Sequence, residues 1–163
     1  MKPRGSFGIL LAVGGFALAA GPSAPIAAQD PKVVVNTSKG GIAVQGYDPV
    51  SYFTSPAPQR GNPSFTATHM GARYHFVSAA NRDRFRADPD KYAPQFGGYC
   101  GYGASRGYLA PVDPEAFTIM AGRLILQNSK KVLELWEREP EARLKLAVQN
   151  WPRIVEREGK PLP

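Results

Sequence analysis

Two stretches of this chain are written to one plan, and that plan limits the fold more than any other feature. Phe65-Thr66-Ala67-Thr68-His69, then Met70-Gly71, then Ala72 to Val77 reads as strand, two-residue turn and strand. Phe117 to Met120, Ala121-Gly122 and Arg123 to Leu126 read the same way. Glycine in the second central position suits a type I′ turn, whose backbone twist matches right-twisted strands. Each return strand runs into a serine, Ser78 or Ser129, able to accept a backbone N–H at the start of a helix. Those helices are expected over Ala79 to Ala87 and Lys130 to Glu139. The fold class that follows is α+β: two small antiparallel β-hairpins, each followed by a helix, with a C-terminal helical segment packed on the sheet. That last segment, Glu141 to Glu158, carries Leu144, Ala147, Val148, Trp151, Ile154 and Val155 at helical spacing. Pro152 falls inside the pattern and predicts two helices or a kinked one.

The chain begins with Lys2 and Arg4, an uncharged, largely apolar run from Phe7 to Ala20, and small residues ending at Ala27-Ala28. This is the layout of a signal peptide over residues 1–28, with cleavage after Ala28. The run is shorter than the roughly 20 residues that span a bilayer, so no stable membrane insertion is expected after cleavage and the address is periplasmic or secreted. Residues 29–41 read as a flexible lead-in or an edge strand, 42–158 as the working domain, and 159–163 as a disordered tail. About 135 residues is enough for a single core.

The formal net charge is +7 over the 163 residues and falls by two when Lys2 and Arg4 are removed. The remaining cations, among them Arg73, Arg82, Arg84 and Arg86, are interleaved with acids rather than gathered in a stripe, so nucleic acid is not expected as a partner. There is one cysteine. No internal disulfide can form, and Cys100 is buried and inert, free and reactive, or joined to another molecule.

Tyr74-His75-Phe76-Val77-Ser78-Ala79-Ala80-Asn81-Arg82, followed by Phe85, Pro89, Tyr92, Gly97-Gly98 and Cys100, resembles the YHS domain family. Its longer exported branch is also similar in Gly46-Tyr47-Asp48-Pro49-Val50-Ser51-Tyr52-Phe53, in Asp113-Pro114-Glu115-Ala116-Phe117, and in the late Trp136 and Asn150-Trp151-Pro152. The resemblance covers roughly Gly46 to Ile154. It implies a metal-binding module that uses two cysteines, one after an Asp-Pro-Val triplet and one before the YHS serine. Those positions here are Ser51 and Val77. It also points to thiol chemistry at Cys100, where some relatives carry selenocysteine.

Cys100 lies in Phe96-Gly97-Gly98-Tyr99-Cys100-Gly101-Tyr102-Gly103, where glycines let the backbone approach closely and the tyrosines can wall a pocket. A reactive thiol needs a cation or a helix N-terminus to lower its pKa. Arg106 is near in sequence, and His75 is the candidate neighbour in space. A two-residue turn at Met70-Gly71 pairs His69 with Ala72 and Thr66 with His75. His69 then shares a face with Phe65, Ala67, Tyr74 and Phe76, and His75 points the other way with Thr66, Thr68 and Arg73. The histidines therefore cannot chelate one ion unless the turn has three residues. A metal site would rest on Cys100 and His75, supported by Asp48, Tyr99, Tyr102 and Arg106, and would suit copper or another soft transition metal. Asp48 is also placed to cap a short helix that opens with Pro49.

No phosphate loop, serine elbow, paired-histidine zinc helix or Cys-x-x-Cys motif is present. The leading expectation is an exported accessory domain, a binder rather than an enzyme, that holds a soft metal or a thiol-reactive partner through Cys100. The alternatives are a peroxide or disulfide reductase with Cys100 as catalytic nucleophile, and a structural partner-binding domain with Cys100 in the core. The partner is a metal ion or another protein.

Overall fold

A computed structural model describes residues 34–162. The expected signal peptide, with its cut at Ala28, lies outside the described residues. The first hairpin is β3 (Asn62–His69) with β4 (Ala72–Phe76), and the second is β5 (Asp113–Met120) with β6 (Arg123–Gln127). Both turns have positive φ at both central residues, 48° and 75° at Met70-Gly71 and 48° and 72° at Ala121-Gly122, as a type I′ turn requires. The pairing Thr66↔His75, Ala67↔Tyr74, Thr68↔Arg73 and His69↔Ala72 is the register that a two-residue turn dictates.

Helix α2 (Ala79–Ala87) starts where Ser78 accepts the Asn81 N–H, and α5 (Lys130–Glu137) starts where Ser129 accepts the Val132 N–H. Four shorter elements complete the first half: β1 (Thr37–Ser38), β2 (Ile42–Ala43), α1 (Ser51–Thr54) and α3 (Pro89–Tyr92). The first sheet has the order β1-β2-β4-β3, and β2 runs parallel to β4. Of the two readings of the lead-in, residues 34–41 take the edge strand. Thr37–Ser38 forms the sheet edge, and Asn36 is tied down by its N–H on Gly97 O (2.8 Å) and its Nδ2 on Gly98 O (3.0 Å).

The repetition reaches further upstream than the hairpins. Val44-Gln45-Gly46 and Phe96-Gly97-Gly98 are both left-handed turns, with φ of 51°, 51° and 83° in the first and 55°, 57° and 77° in the second. Each leads into Gly-Tyr and then a short helix, α1 in the first copy and α4 (Gly101–Ser105) in the second. Asn62 and Asp113 open their hairpins alike, each taking the N–H two residues on, from Ser64 (2.8 Å) and Glu115 (2.9 Å). Each is followed by the same irregularity in pairing before Thr66 and Phe117. The Asp48 N–H donates to Gln59 O in one copy and the Cys100 N–H to Ala110 O in the other. Buried Phe85 of α2 has Trp136 of α5 as its counterpart. Much of the described chain, from Val44 to Glu137, is therefore two copies of one unit, with β1 and β2 added before the first and α6 after the second.

Helix α6 (Pro140–Glu156) is a single helix with Pro152 inside it, so of the two forms expected, two helices or one kinked helix, the chain does not form two. Pro152 removes one intrahelical N–H bond, and because it lies one turn from the C-terminal end little helix follows it. The helix lies mainly along α4 and shares a core cluster with Ile125 and Trp136 through Ala147 and Ile154. The expected disordered tail is docked as far as it is described. Leu162 donates its N–H to Gly107 O (2.8 Å), and its side chain packs against Gly107. No helix among the described residues is long and apolar enough to cross a membrane.

Candidate functional site

Cys100 is 1% exposed and forms the N-cap of α4. Its Sγ accepts the Gly103 N–H (3.4 Å) and donates to Gln127 Oε1 (3.3 Å), which also takes the Tyr102 N–H (3.0 Å). Burial pushes the thiol pKa up, against N–H groups of Gly103, Asn128 and Tyr102 that favour a thiolate. The helix is too short, and the site too dry, for its N-terminus to win. Gly101 must be glycine here: a Cβ would stand 2.6 Å from Ile125 Cγ2 and 3.2 Å from both Gln127 Nε2 and Trp136 Cζ3.

Asp48 holds the corresponding place in the first copy. It is fully buried, and its carboxylate takes four donors: Val50 N (2.8 Å) and Ser51 N (3.4 Å) on Oδ1, and Val77 N (2.9 Å) and Asn81 Nδ2 (2.7 Å) on Oδ2. The third residue onward, Ser51 or Gly103, donates in both copies. So does the residue before the helix-capping serine, Val77 for Asp48 and Asn128 for Cys100. Both side chains close a bracket that ties a short helix to the end of a hairpin. Ser51 and Val77, where the resemblance places two cysteines, meet at Asp48. The Ser51 hydroxyl is occupied there, donating to Asp48 O (2.6 Å) and accepting from Gln59 N (2.9 Å).

The other expected site residues do not gather on Cys100. No hydrogen bond joins His75 to Cys100 among the described residues. His75 is half-buried on β4, its ring beside Gly46 and its backbone against Gly61. Asp48 belongs to the first bracket and Cys100 to the second. Arg106 is exposed at the opposite, C-terminal end of α4, where a cation suits the helix dipole and leaves the thiol unassisted. Tyr102 stands closest in role, through its N–H on Gln127, while its ring lies 5.0 Å from the Arg143 guanidinium. Tyr99, half-buried, is the counterpart of Tyr47. Among the described residues no group of three or more His, Cys, Asp or Glu side chains is arranged to hold a metal ion. Sequence reasoning missed Gln127 and Asn81. Gln127 lies two residues before Ser129 and Asn81 three after Ser78, so the two occupy different places in the copies and the repetition does not mark them.

Burial and the Arg73 charge both lower the His75 pKa, burial more. A depressed folded value means that the unfolded chain binds its proton first as pH falls. The stability tied to His75 is complete above its ordinary value of about 6.5 and is lost as pH falls through the lower folded value. His75→Gln is expected to flatten the acid limb of a stability–pH curve measured by urea unfolding. An unchanged limb would assign that slope to other groups.

No protein-family model, no curated protein and no solved structure matches this chain.

Proposed function

We propose that the chain is an exported, YHS-like, non-catalytic binding domain in which Cys100 is a core residue and not a reactive one. The supporting observation is the equivalence of Cys100 and Asp48. Two unlike side chains occupy the same place in the two copies, and what they share is the capping of a short helix and the closing of a bracket. A thiolate nucleophile or a soft-metal ligand gains from an open approach and a lowered pKa, whereas Cys100 is sealed and pushed upward. The docked ends of the described residues and the internal repetition suit a rigid scaffold that presents a surface or cleft.

Titrating the folded protein with an aromatic disulfide reagent at neutral pH tests this. The expected result is modification only as fast as the protein unfolds, with immediate reaction in guanidinium. Rapid stoichiometric labelling of the folded state, or stoichiometric Cu(I) binding lost in Cys100→Ser, would overturn the reading and restore the metal or redox alternatives. The pH dependence has a definite sign. A raised folded pKa means that stability tied to the thiol is complete below about pH 8.5 and is lost as pH rises toward the folded value. Cys100→Ser should remove that alkaline slope.

A further inference from the structure

The two repeated units and α6 leave a cleft of about 280 Å³ between them, and no residue of the Cys100 bracket lines it. Its walls are ring-rich: Tyr74 from the first hairpin, Phe96 from the left-handed turn of the second copy, and Trp151 from α6. Phe96 and Trp151 meet edge to face with centroids 5.8 Å apart. The Met70 thioether and Pro94 add to the apolar lining, and the exposed Met70 stands at the mouth.

Two opposite charges, Asp90 and Arg123, also line this cleft, and they do not pair with each other. Arg123 Nη1 donates to the backbone carbonyl of Asp90 (2.8 Å) and has no carboxylate partner among the described residues. One donor of the guanidinium fork is used and the rest are free. The Asp90 carboxylate is largely exposed and makes only a loose contact with His69 Nε2, at 3.8 Å. The bond from Arg123 to the Asp90 main chain holds the guanidinium against α3, the helix that carries the Asp90 carboxylate. The cleft is a local departure from the repetition. Arg123 has buried Ala72 as its counterpart in the first copy, and Gly97 has Gln45, whose side chain is committed to Val112 O (2.7 Å).

We propose that this cleft binds a small zwitterion carrying one aromatic ring, of the class of an aromatic α-amino acid, with its carboxylate on Arg123 and its ammonium on Asp90. The ring lies among Tyr74, Phe96 and Trp151. The volume lies just below the range of ligand pockets, about 300–1,000 Å³, so one ring and a compact head group fill it. A simple anion would face Asp90, a simple cation would face Arg123, and a neutral ring would leave both charges unanswered. The inference rests on the reading of the chain as a binding domain and does not involve Cys100, so thiol labelling and ligand titration fail independently.

Tryptophan fluorescence tests it in the full folded chain. Of the two tryptophans, Trp136 is fully buried, and Trp151 lines the cleft. L-phenylalanine, excited past its own absorbance, is the probe, with 3-phenylpropanoate lacking the ammonium and 2-phenylethylamine lacking the carboxylate. The expected result is saturable quenching by L-phenylalanine, with each analogue at least about tenfold weaker, the loss of one charge-assisted contact. Arg123→Gln should abolish the preference over 2-phenylethylamine, and Asp90→Asn the preference over 3-phenylpropanoate. Both residues are exposed, so folding is retained and is checked by urea midpoint. No saturable signal up to the solubility of phenylalanine would overturn the proposal. So would binding that both variants leave unchanged.

Discussion

Asp48→Ala is expected to destabilise the protein by roughly 3–5 kcal/mol, enough to leave a marginal domain largely unfolded at ambient temperature. Val50 N, Val77 N and Asn81 Nδ2 all sit within 3 Å of the carboxylate and would lose their acceptor together. Each buried donor left unmade costs about 1–3 kcal/mol, and local relaxation recovers part of the sum. Asp48→Asn is the sharper variant because it keeps the shape. Its amide has one accepting and one donating end, whereas both ends of this site face donors, so it should fall near alanine and not near wild type. Urea unfolding followed by far-UV circular dichroism measures both. Midpoints within experimental error of wild type would show that Asp48 does not hold the first bracket together.

Trp136→Ala should cost about 3–5 kcal/mol. The ring is fully buried between Gly101 and the cluster of Ile125, Ala147 and Ile154, where no solvent can fill the space. Its Nε1 has no hydrogen-bond partner among the described residues. Trp136→Phe therefore removes an unmade donor as well as some volume, and should lose well under half of what alanine loses. Phe85→Ala, its counterpart, should cost a similar 3–5 kcal/mol, since it contacts Tyr74 and Phe76 at centroid distances of 4.8 and 5.1 Å. The parallel variants also report on cooperativity. A single transition with an unchanged m-value in both would mean that the two copies unfold as one. A second transition in Trp136→Ala alone would mean that the second copy opens by itself.

The local elements were legible because their signals are local. A glycine in the second turn position and a serine before a helix act within a few residues, so the hairpin register and the starts of α2 and α5 follow from short-range sterics and hydrogen bonding. The repetition was visible only in the hairpins. Upstream, the copies share left-handed turns and brackets but almost no side chains, and backbone geometry of that kind leaves little trace in residue types.

Residue order alone fixes the α+β plan, the opposite facing of His69 and His75, and the impossibility of an internal disulfide. The environment of Cys100 comes instead from long-range packing. Its neighbours in the chain include an arginine and glycines, features of a reactive thiol, yet Gln127 takes its S–H and the apolar cluster that holds Val112, Leu124 and Leu126 closes it off from water. Whether a thiol is open or sealed depends on contacts distant in sequence, so the motif around Cys100 had no means of recording it. The ends of the described chain were decided in the same way. Residues 34–38 and Leu162 look like loose ends in composition but find backbone partners in Gly97, Gly98 and Gly107, three glycines whose missing side chains leave room for another strand of chain to lie against them.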